Sequence, residues 1–231
     1  IDQLGVPKSI ALCQTIPVRV NTINRWELRE RVINGANRLD GAKKVELPDG
    51  KMVLLEFASH GDRAQMLLPN GAIVHRYLQN DDWVMFNRQP TLHKCSMMAH
   101  RVYLVDGMSF RLPVPDTTPY NADYDGDEMN MFVVQDLESM SELKNMLSIT
   151  NQFIGPKMGR PIIGCVQDTV IGCYLMCPTF TNPATYQSLC MHCKYAEPSR
   201  LMEQPAILKP KRLYTGYQLA SIPIPDGLTI N

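Results

Sequence analysis

Three aspartates alternate with a tyrosine and a glycine in the run Asp123-Tyr124-Asp125-Gly126-Asp127, which constrains the fold more than any other feature of the sequence. In an extended or tightly turned backbone, such alternation directs all three carboxylates to one side. Like charges this close repel one another, so the folded state needs a compensating cation. Carboxylate oxygens are hard ligands that match Mg²⁺, Mn²⁺ or Ca²⁺. The run therefore predicts a divalent-cation site on a turn, which Gly126 allows the backbone to make.

Two kinds of cation site and one structural alternative compete for this run. A calcium-binding EF-hand loop also opens with alternating acids, but it needs Gly at its sixth position and Glu at its twelfth. Counted from Asp123, those positions hold Glu128 and Val134, so the EF-hand interpretation fails twice. A catalytic Mg²⁺ site for phosphoryl transfer needs only a few carboxylates, because substrate phosphates complete the coordination. On spacing alone, a solvated acidic turn without a metal stays open as well.

The sequence around the acidic run helps to decide between a catalytic Mg²⁺ site and a solvated turn. Upstream stand residues 86–94, with the sequence FNRQPTLHK, and residues 96–101, with the sequence SMMAHR. Together with residues 121–130, with the sequence NADYDGDEMN, they resemble the catalytic region of the largest subunit of multisubunit DNA-directed RNA polymerases. Tyr124 stands where phenylalanine is common in that family. The chain is similar to the nuclear and large-DNA-virus branch, RNA polymerase II in particular, and the resemblance covers residues 2–211.

Hydrophobic periodicity and turn residues predict a mixed α+β protein. Residues 45–86 are expected to hold several short strands, and further strands are expected over residues 102–105, 110–114 and 129–134. The acidic run would then lie between two strands, which would give it a rigid mount.

Helix signals stand on both sides of these strands. Asn24 with Glu27, and Ser139 with Glu142, have the spacing of a capping box. Gly35 is expected to end the first of these two helices, because glycine readily takes the backbone conformation that follows a last helical turn.

The second half of the chain is expected to be more helical. Helices are predicted over residues 165–176 and 184–193, and residues 205–231 are predicted to be mostly extended. The resemblance implies an active-site region over residues 1–137, containing a double-psi β-barrel, and a mainly helical pore region over residues 138–231. It also implies that the chain is an internal piece of a longer subunit, with a barrel that is incomplete at its N-terminus.

The resemblance implies nucleotidyl transfer as the reaction. The RNA 3′-hydroxyl attacks the α-phosphate of a ribonucleoside triphosphate, and pyrophosphate leaves. Asp123, Asp125 and Asp127 would hold one Mg²⁺, and a second Mg²⁺ would arrive with the triphosphate and stabilise the leaving group. Such transfer needs no protein nucleophile, so the lack of a Ser/His/Asp or Cys/His arrangement is no objection.

The resemblance also implies substrate-binding residues, namely Arg88, Asn121, Gln89 and Pro90. The positions that match Arg88 and Asn121 face the sugar of the incoming nucleotide in the family. For Arg88 the alternative is a structural ion pair with one of the aspartates, and the rigid fork of a guanidinium favours the sugar contact.

The implied partners are the second-largest polymerase subunit and other polymerase subunits, together with template DNA, the RNA transcript and ribonucleoside triphosphates. The implied location is the nucleus for a cellular enzyme, and the virion, viral factory or host cytoplasm for a viral one. Two alternatives stay open: a non-catalytic divalent-cation-binding interaction module, and a single-chain polymerase of the RNA-silencing type, which also uses an alternating aspartate loop. The long match on both sides of the run argues against the single-chain polymerase.

Composition sets limits on these interpretations. The formal net charge is zero, whereas free-standing nucleic-acid binders are usually basic. No apolar run is long enough to cross a membrane, and an odd number of cysteines, seven, fits a reducing compartment. Four cysteines have spacing acceptable for zinc, although helical cysteines are often small core residues. They are Cys173, Cys177, Cys190 and Cys193. His93 and His100 are candidate general acids or bases, but a histidine in a strand-rich segment is more often a hydrogen-bonded structural residue, which is the role expected here.

Overall fold

The computed structural model describes residues 1–194, 196 and 198–225. The chain divides into two compact units, Ile1–Gly164 and Cys165–Asn231. Both contain helices and strands, which confirms the predicted α+β class. Among the described residues, no helix combines the length and the apolar character that crossing a membrane requires. The finer predictions, a double-psi β-barrel and a division into an active-site region (1–137) and a pore region (138–231), stay predictions.

The first unit alternates short strands with short helices. In chain order it contains β1 (Gln3–Pro7), α1 (Lys8–Ala11), β2 (Thr15–Arg19), α2 (Arg25–Asn34), β3 (Ala42–Glu46), β4 (Met52–Leu54), α3 (His60–Gln65), β5 (Ile73–Tyr77), β6 (Trp83–Asn87), β7 (Met97–Val105), α4 (Thr117–Tyr120), β8 (Asn130–Phe132) and α5 (Leu137–Glu142). A π-helical turn over Leu143–Leu147 continues α5.

The sheet next to the acidic run has the strand order β1-β7-β6-β8. β1 is parallel to β7, from Gln3 opposite Arg101 to Pro7 opposite Val105, and β6 is antiparallel to both β7 and β8. A parallel pair needs a long crossover, and the segment between β1 and β7 supplies it. Apolar side chains of these strands form one of the apolar cores of the unit and are fully buried. They include Leu4, Val6, Val84, Phe86 and Met98.

A second sheet, with the order β2-β5-β3-β4, is antiparallel throughout and comes between β1 and β6 in sequence. Helix α2 contributes Leu28 and Val32 to a separate core, which also contains Val45 and Val74. As predicted, α2 ends at Gly35, whose φ of 75° is a conformation that side chains with a Cβ atom rarely adopt. This sheet thus has its own apolar support within the unit.

The strand predicted over residues 110–114 is wrong. Within this described stretch, the only β-bridge is that of Arg111 with Gly5, made by N–H to carbonyl hydrogen bonds of 2.8 and 2.9 Å. Pro113 and Pro115 lack the N–H group that a strand ladder needs, and the chain continues as a 3₁₀ turn and α4. The acidic run therefore lies between a helix and β8, and the predicted position between two strands is also wrong.

Both predicted capping boxes are wrong, although both helices exist. Asn24 precedes α2 but does not cap it, because its side chain accepts the Asn21 N–H and donates to the Arg19 carbonyl instead. Helix α5 begins three residues earlier than predicted. It is capped by Asp136, whose carboxylate accepts the Ser139 N–H at 2.7 Å.

The second unit contains α6 (Asp168–Met176), β9 (Phe180–Thr181), α7 (Pro183–His192), α8 (Pro198–Leu201), β10 (Tyr214–Thr215) and α9 (Gly216–Ser221). Its core is centred on Tyr186 and Tyr214, whose rings stack with centroids 3.8 Å apart. Helices α6 and α7 confirm the two predicted helices. Helix α9 interrupts the stretch predicted to be mostly extended, and residues 226–231 of that stretch lie outside the described residues.

Candidate functional site

The acidic run forms an exposed loop between α4 and β8. It begins at Asn121, whose left-handed conformation (φ 49°, ψ 44°) ends α4. The next residue, Ala122, donates its N–H to the Thr117 carbonyl at 2.9 Å. Gly126, at φ 116°, provides the turn that the sequence predicts for it. The carboxylates that follow Ala122 are therefore presented on a short loop with a defined start.

Arg88 reaches this loop because of strand register. Strand β6 ends at Asn87, which pairs with Asn130 of β8, so the residue after β6 and the residues before β8 are neighbours. Arg88 Nε donates to Asp127 Oδ2 at 2.9 Å, and the same oxygen accepts the Asp123 backbone N–H at 2.9 Å. The pKa of the Asp127 carboxyl lies below its ordinary value. The backbone hydrogen bond from Asp123 is the larger cause, and the hydrogen bond from Arg88 is the next. This carboxylate is ionised and already bound by two donors.

The three aspartates offer oxygen donors that fit a hard divalent cation, and all three are exposed. Asp123 Oδ1 accepts the Tyr124 N–H at 2.8 Å, whereas the Asp125 carboxylate has no hydrogen-bond partner among the described residues. In the part of the chain that the structure describes, no three Asp, Glu, His or Cys side chains are gathered closely enough to hold a metal ion. The donor chemistry therefore fits Mg²⁺, and the convergence of Asp123, Asp125 and Asp127 on one ion stays a prediction.

The predicted substrate-binding residues lie at two places around the loop. Arg88 makes the ion pair with Asp127 that was the alternative to a sugar contact, and the sugar contact itself stays a prediction. Gln89 and Pro90 follow Arg88 and are exposed, and Asn121, at the start of the loop, is exposed as well. The structure thus joins Arg88 to the acidic loop and leaves the other three accessible to a ligand.

A cavity of about 870 Å³ opens beside the loop. Residues of the loop and residues 108–112 both line this cavity. Tyr124 connects the two, because its hydroxyl donates to the Leu112 carbonyl at 2.8 Å. One flank of the loop therefore borders open space rather than a packed core.

Two buried polar residues near the loop are not indicated by any sequence motif. Asp116 is fully buried, neither of its carboxylate oxygens has a hydrogen-bond partner among the described residues, and burial raises its pKa to about 7. Tyr120 is also buried; its hydroxyl donates to the Phe86 carbonyl at 3.3 Å and lies 2.8 Å from Nε2 of His100. Burial lowers the pKa of His100 to about 4, so this histidine is a neutral core residue at pH 7.

The four cysteines with zinc-like spacing lie in the second unit as free thiols. Cys190 is buried beside Tyr186, whereas Cys173 on α6 is exposed. Cys177 and Cys193 are partly buried. In this conformation the described residues bring no three potential ligands together here, and Cys190 packs as a small core residue.

Two polymerase family descriptions together match nearly the whole chain. Residues 1–149 match "RNA polymerase Rpb1, domain 2", and residues 152–231 match "RNA polymerase Rpb1, domain 3". The chain is 39% identical over 231 residues to the DNA-directed RNA polymerase subunit Rpo1N of Sulfolobus acidocaldarius. It is 40% identical over 228 residues to the DNA-directed RNA polymerase II subunit RPB1-B of Trypanosoma brucei brucei. These matches cover 100% and 98% of this chain but only 26% and 12% of the two relatives.

Proposed function

The chain belongs to the Rpb1 family of DNA-directed RNA polymerase largest subunits, and we propose that it carries the metal-binding catalytic loop of such an enzyme. The observation that supports this proposal is the loop itself. It presents three exposed carboxylates beside a cavity, with a guanidinium held against one of them. In this proposal the strands of the first unit are part of a double-psi β-barrel, and residues 138–231 belong to a pore region.

The proposed reaction is template-directed RNA synthesis. The RNA 3′-hydroxyl attacks the α-phosphate of a ribonucleoside triphosphate, and the bond to pyrophosphate breaks. When bound, two Mg²⁺ ions would lower the pKa of the 3′-hydroxyl and neutralise charge on the phosphates. Asp123, Asp125 and Asp127 would hold the ion at the loop, and their exposure leaves them accessible to the triphosphate that brings the other.

In this proposal Arg88, which ends beside the acidic loop, contacts the sugar of the substrate. Only its Nε donates to Asp127, and among the described residues its two terminal nitrogens have no partner. A guanidinium has five N–H donors in a fixed fork, so these terminal groups can donate to the hydroxyl oxygens of a ribose. Asn121 offers both a donor and an acceptor for the 2′-hydroxyl. Gln89 and Pro90 would extend the same substrate-binding surface.

The proposed partners follow from this reaction. They are the second-largest polymerase subunit and the other polymerase subunits, the DNA template, the RNA transcript and ribonucleoside triphosphates. The proposed location is the nucleus for a cellular enzyme, and the virion, viral factory or host cytoplasm for a viral one.

The decisive variant is Asp125→Asn, made in the complete polymerase, because it removes the charge and keeps the shape of the side chain. Single-nucleotide addition on an RNA–DNA scaffold is expected to fall by about a thousandfold or more, while the subunit composition of the enzyme is unchanged. Asp49→Asn, at the exposed turn between β3 and β4, is the matched control. Normal elongation by Asp125→Asn in Mg²⁺ would overturn the proposal and favour a non-catalytic cation-binding module.

A further inference from the structure

The acidic loop has few contacts that hold its middle in place. Asp123 and Asp127 are joined by a backbone N–H to carboxylate hydrogen bond, and Arg88 binds the same Oδ2 atom. Both contacts use an oxygen that a bound cation would need. Tyr124 makes a different kind of contact. Among the described contacts of residues 123–127, its hydrogen bond joins the loop to another segment without using a carboxylate.

The tyrosine contact leads to a rigid part of the fold. The Tyr124 hydroxyl donates to the Leu112 carbonyl at 2.8 Å. The adjacent Arg111 is fixed to Gly5 by a reciprocal pair of backbone hydrogen bonds, and Gly5 belongs to β1, which pairs with β7. The phenol thus connects the middle of an exposed loop to the central sheet through Arg111 and Gly5.

The open space beside the loop gives this hydrogen bond its importance. Asp123, Tyr124, Gly126 and Asp127 all line the cavity of about 870 Å³. A loop with empty space on one side can move into that space, and small displacements of ligating side chains weaken a cation site. Because its hydroxyl is bound to Leu112, which also lines the cavity, Tyr124 limits such movement of both of its neighbours, Asp123 and Asp125.

We propose that Tyr124 is a positioning residue, whose hydroxyl fixes the spacing of Asp123 and Asp125 and thereby strengthens the binding of a divalent cation to the loop. This proposal rests on the proposed function in one respect, namely that these carboxylates are cation ligands. A phenylalanine at this position would keep the aromatic ring beside the cavity and lose only the donor. We call the hydrogen bond from the Tyr124 hydroxyl to the Leu112 carbonyl the tether. It can therefore be removed without changing the packing of the ring.

The test compares Tyr124→Phe with the parent in the complete polymerase. Cation affinity at the loop is read with Fe²⁺ and added hydrogen peroxide. The bound Fe²⁺ reduces peroxide to hydroxyl radicals, which cleave the polypeptide next to the binding site, and Mg²⁺ is titrated in competition against that cleavage. The same enzymes are assayed for single-nucleotide addition over a range of Mg²⁺ concentrations. We expect Tyr124→Phe to raise the Mg²⁺ concentration for half-competition and for half-maximal rate by about two- to tenfold, the effect of one net hydrogen bond. The rate at saturating Mg²⁺ should change by less than about twofold.

Two further variants make the result specific. Tyr103→Phe removes the hydroxyl of a comparably exposed tyrosine on β7 (53% exposed, against 61% for Tyr124) and should leave both Mg²⁺ values unchanged. Substitution of Tyr124 by p-aminophenylalanine restores an N–H donor at the ring position and should return both values toward those of the parent. Unchanged Mg²⁺ values in Tyr124→Phe, or no recovery with the amino derivative, would overturn the tether.

Failure of the tether and failure of the proposed function can be told apart with Asp125→Asn. If Asp125→Asn abolishes Fe²⁺ cleavage at the loop while Tyr124→Phe matches the parent, the loop binds the cation and the tether is wrong. If the Asp125→Asn enzyme is cleaved by Fe²⁺ as the parent is, the loop is not the cation site, and both proposals fail.

Discussion

Arg88 Nε donates to Asp127 Oδ2 at 2.9 Å, and that oxygen also accepts the backbone N–H of Asp123. One carboxylate oxygen thus closes the loop on itself and fastens it to the end of β6. A divalent cation that binds this oxygen competes with both donors. Occupancy of the loop and the position of Arg88 are therefore coupled, and each should alter the other.

Removal of the Arg88 guanidinium tests this coupling. In Arg88→Ala, Mg²⁺ should bind the loop about two- to fivefold more tightly, because its competitor at Asp127 is gone and a partly exposed ion pair is weak. The KM for nucleotides should rise, since the proposed sugar donors are lost. The measurements are Mg²⁺ competition against Fe²⁺ cleavage, and single-nucleotide kinetics.

The matched control for this variant is Arg38→Ala, which breaks the surface ion pair with Asp40 in the segment before β3. It should change neither quantity. Weaker Mg²⁺ binding in Arg88→Ala would mean that the guanidinium holds Asp127 in place for the cation rather than competing with it.

Asn121 is expected to contribute to the choice between ribonucleotides and deoxyribonucleotides. Loss of its amide in Asn121→Ala should reduce the preference for ATP over dATP by about five- to a hundredfold, because a site that pairs with the 2′-hydroxyl loses that pairing. The measurement is kcat/KM for both nucleotides on one template.

The left-handed conformation of Asn121 calls for a second variant. Alanine is strained at φ 49°, whereas Asn121→Gly removes the amide without that strain. Both variants should lower the ATP to dATP ratio to a similar extent. Equal slowing of both nucleotides, with an unchanged ratio, would limit Asn121 to support of the metal loop.

Asp116 should make the segment before the loop less stable as pH rises. Burial raises its pKa from 3.8 to about 7, so the folded state keeps a proton that the unfolded state releases. The stability contributed by this proton is fully present below the unfolded pKa and is lost as pH rises through the folded pKa. The difference between the two limits is about 4 kcal/mol.

Hydrogen exchange of residues 114–121 in the complete enzyme measures this effect. The parent should lose protection relative to Asp116→Asn as pH rises from about pH 4 to about pH 7, because the folded and unfolded states differ in bound protons between these two pKa values. Asp106→Asn, an exposed carboxylate paired with Lys8, is the control and should show no such divergence from the parent. If the ratio of exchange protection between the parent and Asp116→Asn stayed constant across this range, Asp116 would not hold a proton in the folded state.

The isolated chain should not synthesise RNA. Its three loop carboxylates are exposed and not gathered around a common point among the described residues, so Mg²⁺ binding should be weak, with a Kd of about 1 mM or higher. Further substrate contacts are expected from other subunits. The measurement is primer extension by the purified chain beside the complete polymerase, and extension of a primer by the chain alone would refute this.

The parts of the site that sequence predicts are the local ones. Carboxylates and a glycine within a few residues define an exposed turn at Gly126, whatever surrounds it. The arrival of Arg88 at Asp127 depends on the register of β6 against β8, which residue spacing does not encode. The burial of Asp116 likewise depends on packing by distant segments, and a short polar side chain followed by threonines gives no periodic signal.

The failed fold predictions have a similar cause. Residues 110–114, with the sequence FRLPV, look like a strand, but Pro113 removes a donor, and the chain turns into α4 after one bridge to Gly5. At Asn24 the backbone is helical (φ −92°, ψ −5°), so its side chain binds the preceding loop instead of capping α2. In the first case a missing N–H donor ends the strand, and in the second a residue with the right side chain has the wrong backbone geometry for the predicted role.

The sheet of β2, β5, β3 and β4 begins and ends at one place, because Thr15 at the start of β2 pairs with Tyr77 at the end of β5. A module whose entry and exit strands are hydrogen-bonded neighbours can be lengthened, shortened or exchanged without moving β1 or β6. The turn at Asp49 and Gly50, at the tip of the β3–β4 hairpin, is therefore a natural point for attaching a label or an affinity tag.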